Sequence, residues 1–317
     1  MSVDNSTRIL VAVDVSNFDY VCTFSAVKHW KKMYPEDAMI HFKEPWETDQ
    51  ENLPDLTNVP SFGKVLRFTV QDRLGFLDQI IARNHQDSVD SATGVDTIFS
   101  FDGKLDDNFR KKLYPGYKAQ RKLVKKSFDM SAAKRYIQNV IFGELNLEVT
   151  RGYKFVKVDG CESDDIIATV MEKCNDYMCR IILSSDRDFL QIGNVHQYNC
   201  WGEKIERTIN HVVDEPMRRD DFLLWKIIRG DQSDNIGNVF HKYGDKKSYQ
   251  LALDRDRLRT MLLEDNDAAE RFKLNMSLID FRKIPNSTKE KIWKVVSKKM
   301  EDRKDQTEFY LDGCMVV

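Results

Sequence analysis

The sequence lacks a CxxC pair, an HxxxH pair and any apolar run near the ~18 residues that a membrane-spanning helix needs. Each absence removes a class of protein. The six cysteines (Cys22, Cys161, Cys174, Cys179, Cys200, Cys314) are scattered, and Cys174 and Cys179 have no His pair nearby. Neither a disulfide framework nor a zinc site is expected, and the thiols read as reduced and mostly buried, as in a cytosolic protein. His29, His41, His85, His196, His211 and His241 are equally dispersed. The start, MSVDNSTRIL, is too polar for a signal peptide, so no membrane association is expected. No internal repeat or low-complexity segment is visible. A net charge of one sign is missing too: 49 Lys and Arg against 51 Asp and Glu leave -2. Nucleic-acid binders are often basic, so the total gives no support to one. The distribution of charge is uneven, however, and carries more information.

What is present suits a packed protein. With 41% hydrophobic, 11% aromatic and 32% charged residues, global disorder is excluded, and 317 residues suffice for one large domain or about two ordinary ones. RILVAVD (8 to 14), DTIFSFD (96 to 102), YKFVKVD (153 to 159) and CRIILSSDRD (179 to 188) read as buried strands, each with an aspartate at or near its end. VHQYNCW and EKIERTI read as shorter strands near an edge. Helical spacing covers 17 to 33, 68 to 86, 129 to 145 and a stretch from 162, while 35 to 62 looks like a loop. From about 220 the pattern is helical and charged. Alternating strands and helices predict an α/β fold, a parallel sheet flanked by helices with right-handed crossovers. The expected division is an α/β core over 1–220 and a helical C-terminal region over 221–317.

Sites in such sheets lie outside the carboxyl ends of the strands. Asp14, Asp102 and Asp186 fall at that end. The segment GCESDDIIA adds Glu162, Asp164 and Asp165 at the mouth of an apolar helix, and SSDRD and GDQSDN add Asp188, Asp231 and Asp234. Each has a plainer reading taken singly: first-turn acids favour the helix macrodipole, Asp14 could cap a strand end, and Asp186 and Asp188 could form a turn. Nine gathered carboxylates, however, repel one another unless cations lie between them. Oxygen ligands of this type suit Mg²⁺ or Mn²⁺, and two such ions about 3.5–4 Å apart can activate water and stabilise a leaving oxygen.

The stretch FRKKLYPGYKAQRKLVKKSF (109 to 128) holds Arg110, Lys111, Lys112, Lys118, Arg121, Lys122, Lys125 and Lys126, and no acid interrupts it before its end. An exposed basic helix without a partner is the plain reading. Its position directly after Asp102 points instead to a cationic strip that grips phosphates beside the acidic nest, with Tyr114 and Tyr117 able to stack on bases.

Together, DGKLDDNFRKKLYPGYKAQRK, GCESDDIIA, SSDRDFLQI and GDQSDNIGNV resemble the 5′-nuclease family of flap endonucleases and 5′→3′ exonucleases, with the nearest look to the tailed-phage ribonuclease H branch. FKLNMSLIDFRKIP (272 to 285) adds to the likeness, which runs over roughly residues 8 to 300. The resemblance implies a PIN-like core, a helical arch at about 103–127 and a helical C-terminal region that contacts duplex. It implies hydrolysis of phosphodiesters at 5′ ends or flaps of DNA and RNA–DNA hybrids, with removal of RNA primers during replication as the role.

By the same resemblance the cofactors are two Mg²⁺ ions, with Mn²⁺ able to substitute. Asp14, Asp102, Glu162, Asp164, Asp165 and Asp186 would serve mainly the first ion and Asp188, Asp231 and Asp234 the second. Lys118, Arg121 and Asp186 would be catalytic, with Lys118 and Arg121 on the scissile phosphate. Arg110, Lys111, Lys112, Tyr117, Lys118, Arg121, Lys122, Lys125, Lys126, Lys246 and Lys247 would contact nucleic acid. Implied partners are branched or nicked DNA, RNA–DNA hybrid, and a single-strand-binding protein or sliding clamp, in a host cytoplasm if phage-encoded. The Gly-rich hairpin GIGxKTA is replaced here by IGNVFHKYGDKKSYQLAL, which leaves its K⁺ site open; Gly237, Gly244, Lys246 and Lys247 keep part of the pattern. The acidic loop at 35 to 62 and the tail EFYLDGCMVV (308 to 317) match nothing in the family pattern, and the tail could fray or dock on a partner. A PIN-type ribonuclease and a non-catalytic nucleic-acid binder remain alternatives. A phosphatase-like DxD hydrolase ranks last, because DVS at 14 to 16 lacks the second aspartate.

Overall fold

Five strands, the three central ones rich in β-branched residues, form one parallel sheet in a computed structural model that describes residues 5–301, the side chains of Gln86, Lys122 and Leu123 excepted. The tail at 308 to 317 and Cys314 lie outside the described residues. The strands are β1 (Arg8–Asp14), β2 (Gly94–Phe101), β3 (Lys154–Lys157), β4 (Cys179–Leu183) and β5 (His196–Tyr198), in the order β3-β2-β1-β4-β5. β1 is central and buried at every residue. Its alternate side chains feed two cores, as the period of a strand requires. Ile9, Val11 and Val13 face Phe18, Trp30 and Phe62. Leu10 and Ala12 face Ile166, Ile167, Val170, Ile292 and Val296. Burying each large aliphatic side chain in these layers stabilises the fold by about 1.5–3 kcal/mol.

Parallel strands need crossovers that cover the faces of the sheet. Helices Val15–Met33 and Pro60–Asn84 cover the first face, and Ser163–Lys173 with Asn286–Glu301 the second. The last of these belongs to the helical region from residue 219 onward, which contains Arg219–Arg229, Asp245–Leu253, Arg255–Glu264 and Asn266–Ile279 before the chain returns to the sheet. Among the described residues no helix is long and apolar enough to cross a membrane.

Several local expectations need correction. The loop expected at 35 to 62 contains a helix, Pro35–His41, and the long helix begins at Pro60 rather than at 68. Both prolines occupy the first helical turn, where a missing N–H costs nothing and the fixed φ helps. The fourth strand ends at Leu183, not 188, because Asp186 caps a 3-10 turn, Arg187–Gln191, by accepting the Asp188 N–H at 2.8 Å. EKIERTI is not a strand; it makes only isolated bridges such as Tyr198 with Lys204. The basic span at 103–127 is helical in two short pieces, Phe109–Leu113 and the 3-10 turn Ala119–Leu123. Gly230 ends Arg219–Arg229 with φ +69°, and a Cβ there would lie 2.4 Å from the Gly237 carbonyl oxygen. Only glycine fits that reversal, which delivers Asp231 to the rim of the sheet.

Candidate metal and phosphate site

β1, β2 and β4 all end at one rim, so the aspartates that close them arrive together. Asp14 is the last residue of β1, Asp102 follows β2, and Asp186 stands three positions after β4. The helix Ser163–Lys173 starts at the same rim, with Glu162 as its N-cap. The Glu162 and Asp165 side chains exchange hydrogen bonds with each other's backbone in a capping box.

Hydroxyl and amide donors orient the acids on the sheet side. Asp14 Oδ1 accepts from the Ser16 and Asn17 N–H groups (3.1 and 3.3 Å) and from Ser163 Oγ (3.1 Å), and its Oδ2 accepts from Ser184 Oγ (3.0 Å). Asp102 accepts from Ser16 Oγ (2.5 Å) and the Ser163 N–H (2.9 Å). These donors fix direction without adding positive charge. Burial, Asp186 and Asp102 accordingly push Asp14 up to about 6. Asp164 is raised well above the carboxylate range by burial and then by Asp186 and Asp14, and Asp186 is raised chiefly by burial.

On the opposite side the acids are held by cations. Lys226, on the last turn of Arg219–Arg229, contacts Asp188 closely and lies 3.3 Å from Asp231. Burial favours the neutral form of Asp231, but Lys226 and Ser233 outweigh it and leave the group below its ordinary range. Arg121 pairs with Asp234 at 2.7 Å, while Lys118 pairs closely with Glu162 and stands 3.8 Å from Asp234. Lys118 has a left-handed backbone (φ 58°) and donates its own N–H to the Asp234 carbonyl at 2.9 Å, which locks the basic segment onto the turn after Gly230. Asp164, Asp186, Asp188, Asp231 and Asp234 line a single cleft of about 280 Å³ together with Lys118, Arg121 and Lys226. Asp14, Glu162 and Asp165 are buried beside it and Asp102 is half-buried, linked to it through Ser16, Ser163, Ser184 and Lys118.

Three residues named from the sequence sit differently from what their expected roles would need. Arg110 is 3% exposed, pairs with Asp165 at 2.6 Å and Glu162 at 3.3 Å, and donates to the Leu278 carbonyl at 2.8 Å. Tyr117 is 5% exposed and donates its hydroxyl to Glu162 (2.9 Å) and Asp234 (3.1 Å). Both are turned to carboxylates here rather than to solvent. The same contacts occupy Asp165: Arg110 takes one oxygen and the Glu162 N–H, at 3.1 Å, the other. Both of its oxygens are thus engaged within the wall. Lys111, Lys112, Lys125, Lys126, Lys246 and Lys247 are exposed, with Lys112 paired to Asp107, and Lys246 and Lys247 lie in the first turn of Asp245–Leu253. The Lys122 side chain is outside the described residues.

The sequence reading missed Lys226, Ser163 and Ser184. Lys226 lies five positions before Asp231 in a helix that ends there, and basic last turns are common enough to hide it. Ser184 opens the SSDRD turn and could have been found from its place beside the strand-end acids.

The donor set suits hard divalent cations. It is composed of carboxylate oxygens, drawn close enough to raise one another's proton affinity, with lysine and arginine on the approach. Residues 70–217, a little under half of the chain, match the family model described as the 5′-3′ exonuclease N-terminal resolvase-like domain, and together with the relatives below this supports a 5′-nuclease family near phage ribonuclease H. Among its relatives are ribonuclease H of Enterobacteria phage T4, 26% identical over 149 residues (43% of this chain and 48% of that protein), and DNA polymerase I of Treponema pallidum (strain Nichols), 35% identical over 89 residues (28% and 8%). The chain thus matches about half the length of the first and a small part of the second. The fold is similar to T5 5′-exonuclease with bound zinc ions (TM-score 0.55, 17% identity, 96% and 99% of the two chains). It is also similar to a variant T5 flap endonuclease in a pseudo-enzyme–product complex with DNA and metal ions (TM-score 0.54, 16% identity, 98% and 100%). At these identities the two structures speak for the PIN-like fold.

Proposed function

We propose that the protein is a structure-specific 5′-nuclease that hydrolyses phosphodiester bonds at 5′ ends or flaps of DNA and of RNA–DNA hybrids. One observation carries this reading. Carboxylates after β4 (Asp186, Asp188), at a helix N-terminus (Asp164) and on the turn after Gly230 (Asp231, Asp234) converge on one cleft, with the β1 and β2 strand-end acids at the same rim, and Lys118 and Arg121 line the same space. Divalent cations fit this set, Mg²⁺ foremost with Mn²⁺ as a substitute, and when bound in pairs they would activate water and offset charge on the leaving oxygen. Asp164, Asp186, Asp188, Asp231 and Asp234 would hold them, with Asp14 and Asp102 buttressing from the sheet.

The chain's own residues account for the rest. In the reaction an oxygen of water forms a bond to phosphorus and the bond from phosphorus to O3′ breaks. The products are a 5′-phosphate and a 3′-hydroxyl, which takes up a proton. Lys118 and Arg121 change partner from Glu162 and Asp234 to the non-bridging phosphate oxygens, whose charge grows in the transition state. Ser16, Ser163 and Ser184 keep the sheet-side acids aimed while this happens. Exposed Lys111, Lys125 and Lys126 would follow the backbone of a single strand, and Lys246 and Lys247, in the region from 221 onward, that of a duplex. Primer removal follows if the RNA–DNA hybrid is a good substrate.

The test is cleavage of a 5′-labelled DNA flap, a nicked duplex and an RNA–DNA hybrid, with Mg²⁺ and with EDTA, beside Asp186→Asn. Cutting that requires the cation and disappears in the variant is the expected result, and product lengths separate flap from exonuclease action. A variant that still cuts at the wild-type rate would overturn the assignment.

A further inference from the structure

The opposite end of the same sheet carries a second ligand set of different chemistry. His85 caps the C-terminus of helix Pro60–Asn84, Cys179 opens β4, and His196 opens β5. β4 and β5 pair with Ile181 opposite His196, so Cys179, two residues before Ile181, shares a sheet face with His196. One donor atom from each of the three residues lies within 4.8 Å of the others, and among the described residues this is the one such group of His, Cys, Asp and Glu. Cys179 Sγ and His85 Nδ1 are 3.7 Å apart. Sulfur and nitrogen ligands at about 2.3 and 2.0 Å from one tetrahedral ion stand roughly 3.6 Å from each other.

From this geometry we infer a zinc site formed by His85 Nδ1, Cys179 Sγ and a ring nitrogen of His196. Two further features match such a site. The other ring nitrogen of His85, Nε2, is 3.1 Å from the Tyr198 hydroxyl, the outer partner that a ligating imidazole uses to fix its tautomer and ring plane. Cys179 and His85 are buried, while His196 is exposed, so the ion would have one solvent-facing side where water completes four-coordination. Binding would displace the thiol proton and leave both imidazoles neutral. The site is separated from the carboxylate cleft by the length of β4, roughly 15 Å at about 3.3 Å per residue. Its donors are nitrogen and thiolate rather than carboxylate oxygen, so the two ends of the sheet would select different ions. The ion would tie the end of the long helix to the short edge strand β5, a strand of three residues. The expectation of no zinc site rested on local spacing, whereas 94 positions separate His85 from Cys179.

The test uses the full chain, stripped with EDTA and desalted, then loaded with Zn²⁺ or, as a spectroscopic probe, Co²⁺. Expected are one zinc ion retained per chain in the Asp186→Asn background, and a cobalt spectrum with a thiolate charge-transfer band and strong four-coordinate d–d bands. Cys179→Ser should remove the thiolate band. Because Cys179 is buried, His196→Ala serves as the variant with an intact core, and should weaken zinc binding at least tenfold in competition with a chromophoric chelator. Tyr198→Phe should weaken it about 10–100-fold. Failure of the Asp186→Asn protein to retain zinc would overturn the proposal, as would a thiolate band that persists in Cys179→Ser or an affinity unmoved by His196→Ala. None of these readouts depends on whether the protein cuts nucleic acid.

Discussion

The two banks of the carboxylate cleft hold their acids by different means. On the sheet bank, neutral serine hydroxyls and backbone amides aim Asp14 and Asp102. On the helical bank, Lys226, Lys118 and Arg121 neutralise Asp188, Asp231 and Asp234. The consequence shows in their proton affinities. Asp14 is raised to about 6 by burial and its acidic neighbours, whereas Asp231 is lowered because Lys226 and Ser233 outweigh its burial. Neutral donors confer direction and leave charge uncompensated; cationic donors compensate it. A hard cation would therefore gain most at the seam where Asp164 and Asp186 meet the sheet bank, and the cationic side chains opposite are free to exchange carboxylate for phosphate.

Asp186→Asn breaks the seam itself. It removes one negative charge and keeps the shape, including an oxygen able to accept the Asp188 N–H. We expect cleavage to fall by on the order of 10³-fold or more at saturating Mg²⁺, with binding of flap substrate retained in gel-shift or anisotropy measurements. Lys118→Ala tests the exchange on the other bank. The loss should be about 10²–10³-fold in kcat, with KM changed much less, since the ammonium matters most when phosphate charge grows. An unchanged kcat would remove Lys118 from the reaction.

Lys226→Met sharpens the contrast between banks. Truncating the cation leaves Asp188 and Asp231 facing each other with their charges unpaired, so the helical bank becomes like the sheet bank. In EDTA the variant should melt below the wild type, and Mg²⁺ should restore more stability to it than to the wild type, read as a larger Tm increment in parallel melts. Equal increments would show that Lys226 does not govern the charge of that bank.

Much of this arrangement was legible because strands write their ends plainly. Asp14 and Asp102 follow apolar runs, and GCESDDIIA joins acids to an apolar helical face. Nine acids are named from the sequence; five line the cleft, while Asp14, Asp102, Glu162 and Asp165 adjoin it at the same rim. What could not be read was orientation. Arg110 and Lys112 look alike in FRKKL, yet one is sealed between Glu162 and Asp165 and the other lies in solvent beside Asp107. The helical phase of a five-residue helix does not reveal which face is covered until the Asn266–Ile279 helix packs on it. Lys226 and the His85, Cys179 and His196 group escaped for a related reason: their partners come from other elements, and no local spacing records the meeting.

Asp19 extends the comparison behind the sheet bank. It lies on helix Val15–Met33, fully buried, with Oδ2 accepting from Gln138 Nε2 at 2.5 Å and Oδ1 without a partner. Burial raises it to about 8; the Gln138 hydrogen bond and Lys134 act against the rise, and Asp14 and Asp102 add to it. A carboxyl with a folded value above its unfolded one binds its proton more tightly in the folded chain. Stability contributed by that proton is complete below about pH 4 and is lost as pH rises toward about 8. Asp19→Asn keeps a group that can accept from Gln138 and removes the titration. Relative to the wild type, the variant should gain stability steadily as pH rises from 5 to 8.5, by on the order of a few kcal/mol in chemical denaturation with EDTA present. A difference that stays constant between those pH values would mean that Asp19 carries its charge throughout, and that the sheet bank tolerates an unpaired anion behind it without help from a proton.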